Sequence, residues 1–147
     1  YEILDFINLD LSLNRMEKRG LLHAKVFINN RPLHLITTHL NLSEKDRSRQ
    51  LKKIIDHIDA LPVEEPLILG GDFNDWTQNL DGEIQRQLGL ASALPKETKT
   101  FPSFLPLLSL DRIYFRGLKL VNGQVIRLPS EQRHSDHLPV LAEFDIS

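Results

Sequence analysis

Leu67-Ile68-Leu69-Gly70-Gly71-Asp72-Phe73-Asn74-Asp75 is the stretch on which the reading of this 147-residue chain turns. Three aliphatic residues in a row, led in by Glu65-Pro66, predict a short strand buried on both faces. Two glycines follow, where another backbone or a ligand can come close. Asp72 and Asn74 then stand at the strand's C-terminal rim, pointing to the same side if the chain stays extended. A carboxylate beside an amide can hold a hard cation, or orient a water and a phosphoryl oxygen. The same residues also fit an Asx-rich turn in which Asp72 caps the next element. An EF-hand loop is excluded. Asp72, Asn74 and Glu83 have the spacing of calcium ligands, but Thr77 stands where that loop needs glycine, and a strand enters where it needs a helix.

Working upstream, Ser43 to Ala60 reads as a helix. Leu51, Ile54, Ile55, Ile58 and Leu61 make one apolar stripe, Pro62 ends it, and Ser43 with Asp46 resembles a capping box. Before it, Leu21 to Asn29 and Leu33 to His39 read as a hairpin turning at Asn29-Asn30-Arg31-Pro32. Alternation puts Leu33, Leu35, Thr37 and His39 on one face. Downstream, a short helix is expected near Gly82 to Leu88. A long ordered loop follows from Ala91 to Pro106, and then strands at Leu108 to Phe115, Leu118 to Arg127 and Leu138 to Phe144. Strand, helix and buried strand in that order make an α/β layered domain.

Composition narrows the function classes. The chain is 41% hydrophobic and 26% charged with net charge −2, which allows a buried core and argues against disorder. It has no cysteine, which excludes disulfide scaffolds, thiolate zinc sites and cysteine nucleophiles and suits a reducing, cytoplasmic setting. No apolar run is long enough for a membrane-spanning helix, and no signal segment opens the chain. Net charge near zero gives no general polyanion-binding surface. The first residue, Tyr1, is not an initiator methionine, so the chain reads as a fragment or a processed product.

Three other places carry reactive side chains. Arg133-His134-Ser135-Asp136-His137 precedes the last strand: His137 has the pKa range of a general base and Asp136 could ligate a metal or orient the imidazole, while a solvated loop would look the same. In Leu110-Asp111-Arg112-Ile113-Tyr114 a carboxylate interrupts an apolar strand and must be paired, either with an imidazole or in a salt bridge supported by Arg112. Thr37-Thr38-His39-Leu40 ends a strand on a histidine that is either structural or functional.

The succession Thr-His-Leu, Gly-Asp-Phe-Asn, Leu-Asp-Arg-Ile-Tyr and Ser-Asp-His, from His39 to Pro139, resembles the endonuclease/exonuclease/phosphatase superfamily of metal-dependent phosphoesterases. Glu17-Lys18-Arg19-Gly20-Leu21-Leu22-His23-Ala24 and Gly71 to Trp76 look closer still to a bacterial subgroup often encoded beside cardiolipin synthase. The resemblance implies an α/β sandwich, the C-terminal half of a DNase I-like four-layer β-sandwich flanked by helices. It implies that His39 stabilises the scissile phosphate, Asp72 handles the attacking water and Asn74 binds a phosphate oxygen. Asp111 would pair with His137, and Asp136 would ligate magnesium (Mg2+) or manganese (Mn2+). Arg47 and Gln50 would support the His39 loop or touch substrate, with a solvated helix residue the equal alternative for Arg47, and Phe101 would face substrate or simply pack.

One departure goes with it. The family draws an Asn and the metal-binding Glu from its N-terminal half, and no such pair precedes His39; Glu17 is a poor stand-in. The expectation is therefore a preceding segment of about one domain half, without which these residues alone would be inactive. The phosphodiester substrate expected is nucleic acid, with Arg47, Arg49, Lys52 and Lys53 as a local basic patch. The alternatives are a phospholipid or sugar-phosphate ester of the same fold, or a non-catalytic binding module.

Overall fold

The computed structural model describes residues 2–132 and 134–146. Tyr1 and Arg133, quoted above, lie outside them.

The strands are β1 (Glu2–Asp10), β2 (Gly20–Ile28), β3 (Arg31–His39), β4 (Leu67–Asp72), β5 (Ala91–Ser92), β6 (Asp111–Arg116), β7 (Lys119–Val125) and β8 (Val140–Asp145); the helices are α1 (Glu44–Asp59) and α2 (Asn79–Leu88). Six strands form one mixed sheet in the order β1-β2-β3-β4-β6-β5, and β7 with β8 forms a second, two-stranded sheet. Among the described residues only β3 and β4 pair in parallel, joined through α1; the other pairs are antiparallel.

The β2–β3 hairpin turns on two residues, with Ile28 opposite Arg31. Asn29 and Asn30 both take positive φ (49° and 61°), as a type I′ turn requires. One face of the large sheet packs on the helices. Leu21, Ile36, Leu67, Leu69 and Tyr114 meet Leu51, Ile54, Ile55 and Ile58 of α1 and Leu80, Ile84 and Leu88 of α2 in a shared core. The opposite face carries Leu22, Ala24, Leu35, Thr37, Ile68, Gly70 and Ile113 along a shallow apolar groove. The second sheet meets this face at Phe115, whose ring centroid lies 5.0 Å from that of Phe144 on β8. The result is a β-sandwich flanked by helices, an α/β layered fold.

Four local expectations change. β4 is buried on its Leu67 and Leu69 side, while Ile68 is only half-buried on the open face. Ser43 takes the N-cap position of α1 but its side chain makes no capping bond; Asp46 instead accepts from Asn41 Nδ2 at 3.3 Å. α2 begins earlier than read, because Asp75 accepts the backbone N–H groups of Asn79 (3.2 Å) and Leu80 (2.9 Å). β1 was not expected at all.

Candidate active site

Strand register places three of the predicted residues in one row. His39 at the end of β3 pairs with Asp72 on β4, and Asp72 pairs with Asp111 at the start of β6. Directly opposed residues on neighbouring strands share a face, so all three side chains stand at the rim of the open face. Gly71 makes the row possible. Its φ is +148°, and a Cβ there would lie 1.9 Å from the Thr38 carbonyl oxygen, so only glycine lets β4 approach β3 this closely. The row is then locked from behind: Leu40 N–H donates to the Asp72 carbonyl and Phe73 N–H to the Leu110 carbonyl, both at 2.9 Å. Phe73 is buried edge-on to Tyr114.

The loop before β8 adds the fourth residue. His137 Nδ1 lies 2.8 Å from Asp111 Oδ2, and its Nε2 lies 3.9 Å from Asp72 Oδ2. His39 Nε2 is 3.5 Å from the same Asp72 oxygen. Residues 100–103 hold this loop in place. Ser103 N–H donates to the Asp136 carbonyl (2.7 Å), Ser103 Oγ to the Ser135 carbonyl (2.8 Å), and Leu138 N–H to the Thr100 carbonyl (2.8 Å). Phe101 packs against the imidazole with its ring tilted by 47°, the ring centroids 4.9 Å apart.

Asn74 sits behind the row with φ of 48°. Its backbone N–H donates to Asp72 Oδ1 and its Nδ2 to the Leu40 carbonyl, both at 2.8 Å. The Asx turn weighed from the sequence is therefore present alongside the site. Asn74 Nδ2 carries two hydrogens and Leu40 takes one of them.

The charges follow from the packing. Burial draws the His137 imidazole toward its neutral form, but the hydrogen bond and charge of Asp111, helped by Asp72 and Asp136, outweigh it and raise its pKa above the ordinary value. Burial and then the Asp111 charge raise Asp72, against the Asn74 N–H and the two histidines, which lower it. Arg112 offers Asp111 no salt bridge, since it is buried and alternates to the opposite face of β6.

Arg47 and Gln50 lie under the His39–Leu42 loop. Gln50 is fully buried: its Oε1 accepts Asn41 N–H at 2.9 Å, and its Nε2 donates to the Leu11 carbonyl (3.0 Å) and to Asn41 Oδ1 (3.1 Å). Arg47 is buried too and donates to the Leu42 carbonyl. Both bond the backbone of this loop, and Arg47 is not the solvated helix residue that its sequence also allowed.

His39, Asp72, Asn74, Asp111, Asp136, His137 and Phe101 all line one cleft of about 450 Å³. The same cleft takes in Arg19, Leu42, Trp76 and Leu110, which sequence reasoning did not place there. The available signals were a large aromatic directly after Gly-Asp-Phe-Asn-Asp and an arginine at the entry to β2. Glu17, the poor stand-in, spends its carboxylate on Arg19 at 2.6 Å.

Among the described residues, no group of three or more His, Asp or Glu is placed to hold a metal ion. Asp111 faces His137, Asp72 faces both histidines, and the exposed Asp136 is the remaining carboxylate at the cleft. These residues by themselves do not fit magnesium or manganese. What they can do is hold an anionic tetrahedral group between imidazoles and move one proton at His137 Nε2, with Asp111 stabilising the imidazolium.

A sequence profile of the endonuclease/exonuclease/phosphatase family matches residues 7–137. The uncharacterized protein YbhP of Escherichia coli (strain K12) is 34% identical over 152 residues, covering 99% of this chain and 60% of its own length. An endonuclease/exonuclease/phosphatase from Bacteroides vulgatus superposes with a TM-score of 0.84 at 20% identity, over 99% of this chain and 66% of its own. A mannosyl-6-phosphatase from Bacteroides thetaiotaomicron gives a TM-score of 0.79 at 16% identity, over 98% and 67%. At such identities the two structures share the fold. The chain spans about 60% of the length of its YbhP relative.

Proposed function

The chain belongs to the endonuclease/exonuclease/phosphatase family, and from that premise we propose that its cleft receives the phosphate group of a phosphoester. The observation that carries this reading is the His39–Asp72–Asp111 row closed by His137. Imidazolium at His137, held charged by Asp111, attracts the phosphate, with His39 and Asn74 lining the same cleft. On their own these residues bind the phosphoester rather than hydrolyse it, because they do not assemble a donor set for a metal.

Hydrolysis is the second reading, favoured by the His137–Asp111 pair. Neutral His137 would take a proton from water as the water oxygen attacks phosphorus, and Asp111 would stabilise the imidazolium formed, an assistance worth about 10²–10⁴-fold. A divalent cation such as magnesium or manganese would join Asp136 only with donors from outside the described residues.

For the substrate, a phospholipid or sugar-phosphate ester fits better than a long nucleic acid. The cleft is edged by Leu42, Trp76, Phe101 and Leu110. The basic patch on α1 is depleted, since Arg47 is buried and Lys52 is paired with Asp56 at 2.8 Å. Placement in the subgroup encoded beside cardiolipin synthase rests on the Glu17–Ala24 and Gly71–Trp76 segments alone. Calorimetric titration with glycerol phosphate and with a short oligonucleotide, at several salt concentrations, tests this. Binding of the small ester that weakens only gradually with salt is expected. A steep slope with the oligonucleotide, or no binding of either, would overturn the respective part.

A further inference from the structure

At the end of the sheet opposite the cleft, four side chains stand in single file. His57 Nε2 lies 3.0 Å from His23 Nδ1, His23 Nε2 lies 2.8 Å from His34 Nδ1, and His34 Nε2 lies 2.6 Å from Glu65 Oε2. The file ties the last turn of α1 to β2, then to β3, then to the turn before β4. His23 and His34 are 5% and 2% exposed, and His57 at the far end is half-buried. The two nitrogens of His23 face different neighbours, so the rings do not converge on a point as metal ligands would.

The hydrogens of such a file can be counted. Lys25 Nζ donates to both Glu65 oxygens (3.0 and 2.8 Å), and this bond, against burial, holds the carboxyl below its usual range. An ionised Glu65 only accepts, so His34 must carry hydrogen on Nε2. A neutral His34 then accepts at Nδ1, which puts the His23 hydrogen on Nε2, and the same step puts the His57 hydrogen on Nε2. One hydrogen occupies each of the three contacts. Among the described residues no bond engages His57 Nδ1, which leaves one further place, and a proton entering there can pass along the file by reversing each contact in turn. While Glu65 stays ionised, a second proton added to the imidazoles has no place: somewhere N–H must face N–H across less than about 3 Å.

We propose that this file is a one-proton latch, which takes up a single proton with every bond kept and is forced open by the second, releasing the end of α1 and the Glu65 turn from β2 and β3. The groups facing it set the acidity at which this happens. Asp5 on β1 favours charge at His23, while Lys25 on β2 and Arg116 on β6 oppose it at His34. Burial pushes His23 down to about 4, and His34 and His57 down as well. With folded values below the unfolded one, the latch holds fully above about pH 6.5 and is lost as pH falls from there toward the folded values. α1 also carries Gln50, which braces the loop after His39, so the latch bears on the helix that supports the cleft.

Long-range proton–nitrogen spectra of the imidazoles, with amide exchange measured from about pH 8 to about pH 4, test the proposal. Neutral solution should show all three rings with hydrogen on Nε2. Acid should add one proton to the closed file with its three hydrogen bonds kept. The amides of residues 54–59, 65 and 67 should lose protection at least about tenfold, after allowance for the pH dependence of intrinsic exchange, with a pH slope near two. In His23→Leu, which breaks the file at its middle, the slope should fall to about one or less. An Nδ1–H form at His23 or His57 in neutral solution, uptake of two protons without opening, or the same slope in His23→Leu would overturn it. If His23→Leu does not fold, the wild-type tautomers and proton count decide.

Discussion

His137 and Asp111 are 26 residues apart in sequence, yet Nδ1 of one stands 2.8 Å from Oδ2 of the other. β6 fixes the carboxylate in register with Asp72, and the loop pinned by Ser103 and Thr100 delivers the ring. The pair holds a proton at the cleft that an isolated histidine would release at lower pH.

Asp111→Asn removes that hold. The His137 pKa should return toward or below the ordinary value near 6.5, read directly from its ring resonances. Because the folded wild-type pKa is raised, the pair's stabilisation is present below about pH 6.5 and is lost as pH rises through the folded value. Thermal melts of wild type and variant should therefore differ most in mild acid, by about 1 kcal/mol, and converge in alkali.

Gly71→Ala should cost about 3 kcal/mol or more, because its Cβ would meet the Thr38 carbonyl oxygen at 1.9 Å. Gly82→Ala is the control. There the nearest atom is the flexible end of Arg86 at 3.1 Å, and helix propensity predicts a change of no more than about 1 kcal/mol, in the stabilising direction. Urea unfolding midpoints separate the two.

Much of this arrangement was legible in the sequence, for definite reasons. The α1 stripe, the β2–β3 turn and the order of the four motifs each follow from local chemistry. β1 was missed because Ile3 and Phe6, at 65% and 70% exposed, lie on an edge strand whose faces are both open, so burial leaves no alternation to read. The Leu67-Ile68-Leu69 run signals a strand but not which face is covered. The histidine file was invisible for another reason. His23, His34 and His57 meet only through hairpin register and the return of α1 across the sheet, and neither leaves a mark on local spacing.

Gln50→Leu tests the brace under the His39 loop. It leaves the Asn41 N–H and the Leu11 carbonyl without their partner, so a loss of about 2–4 kcal/mol is expected in chemical denaturation. Arg49→Ala, one position away on the exposed side of α1, should change stability by less than about 0.5 kcal/mol.

The apolar open face should bind an environment-sensitive dye. Leu35→Thr with Ile113→Thr, both on that face, should cut the fluorescence of bound anilinonaphthalene sulfonate at least about twofold while leaving the far-UV circular dichroism intact. Unchanged dye binding would place the apolar surface elsewhere.

In the proposed function the His39–Asp72–Asp111 row and His137 receive a phosphate group. Titrating inorganic phosphate into the labelled protein and following its backbone and imidazole resonances tests it most directly. Shifts should concentrate at His39, Asn74, residues 101–103 and His137 and weaken as pH rises through the His137 pKa, with affinity reduced at least about tenfold in His137→Gln. Shifts centred elsewhere, or undiminished affinity in His137→Gln, would contradict it.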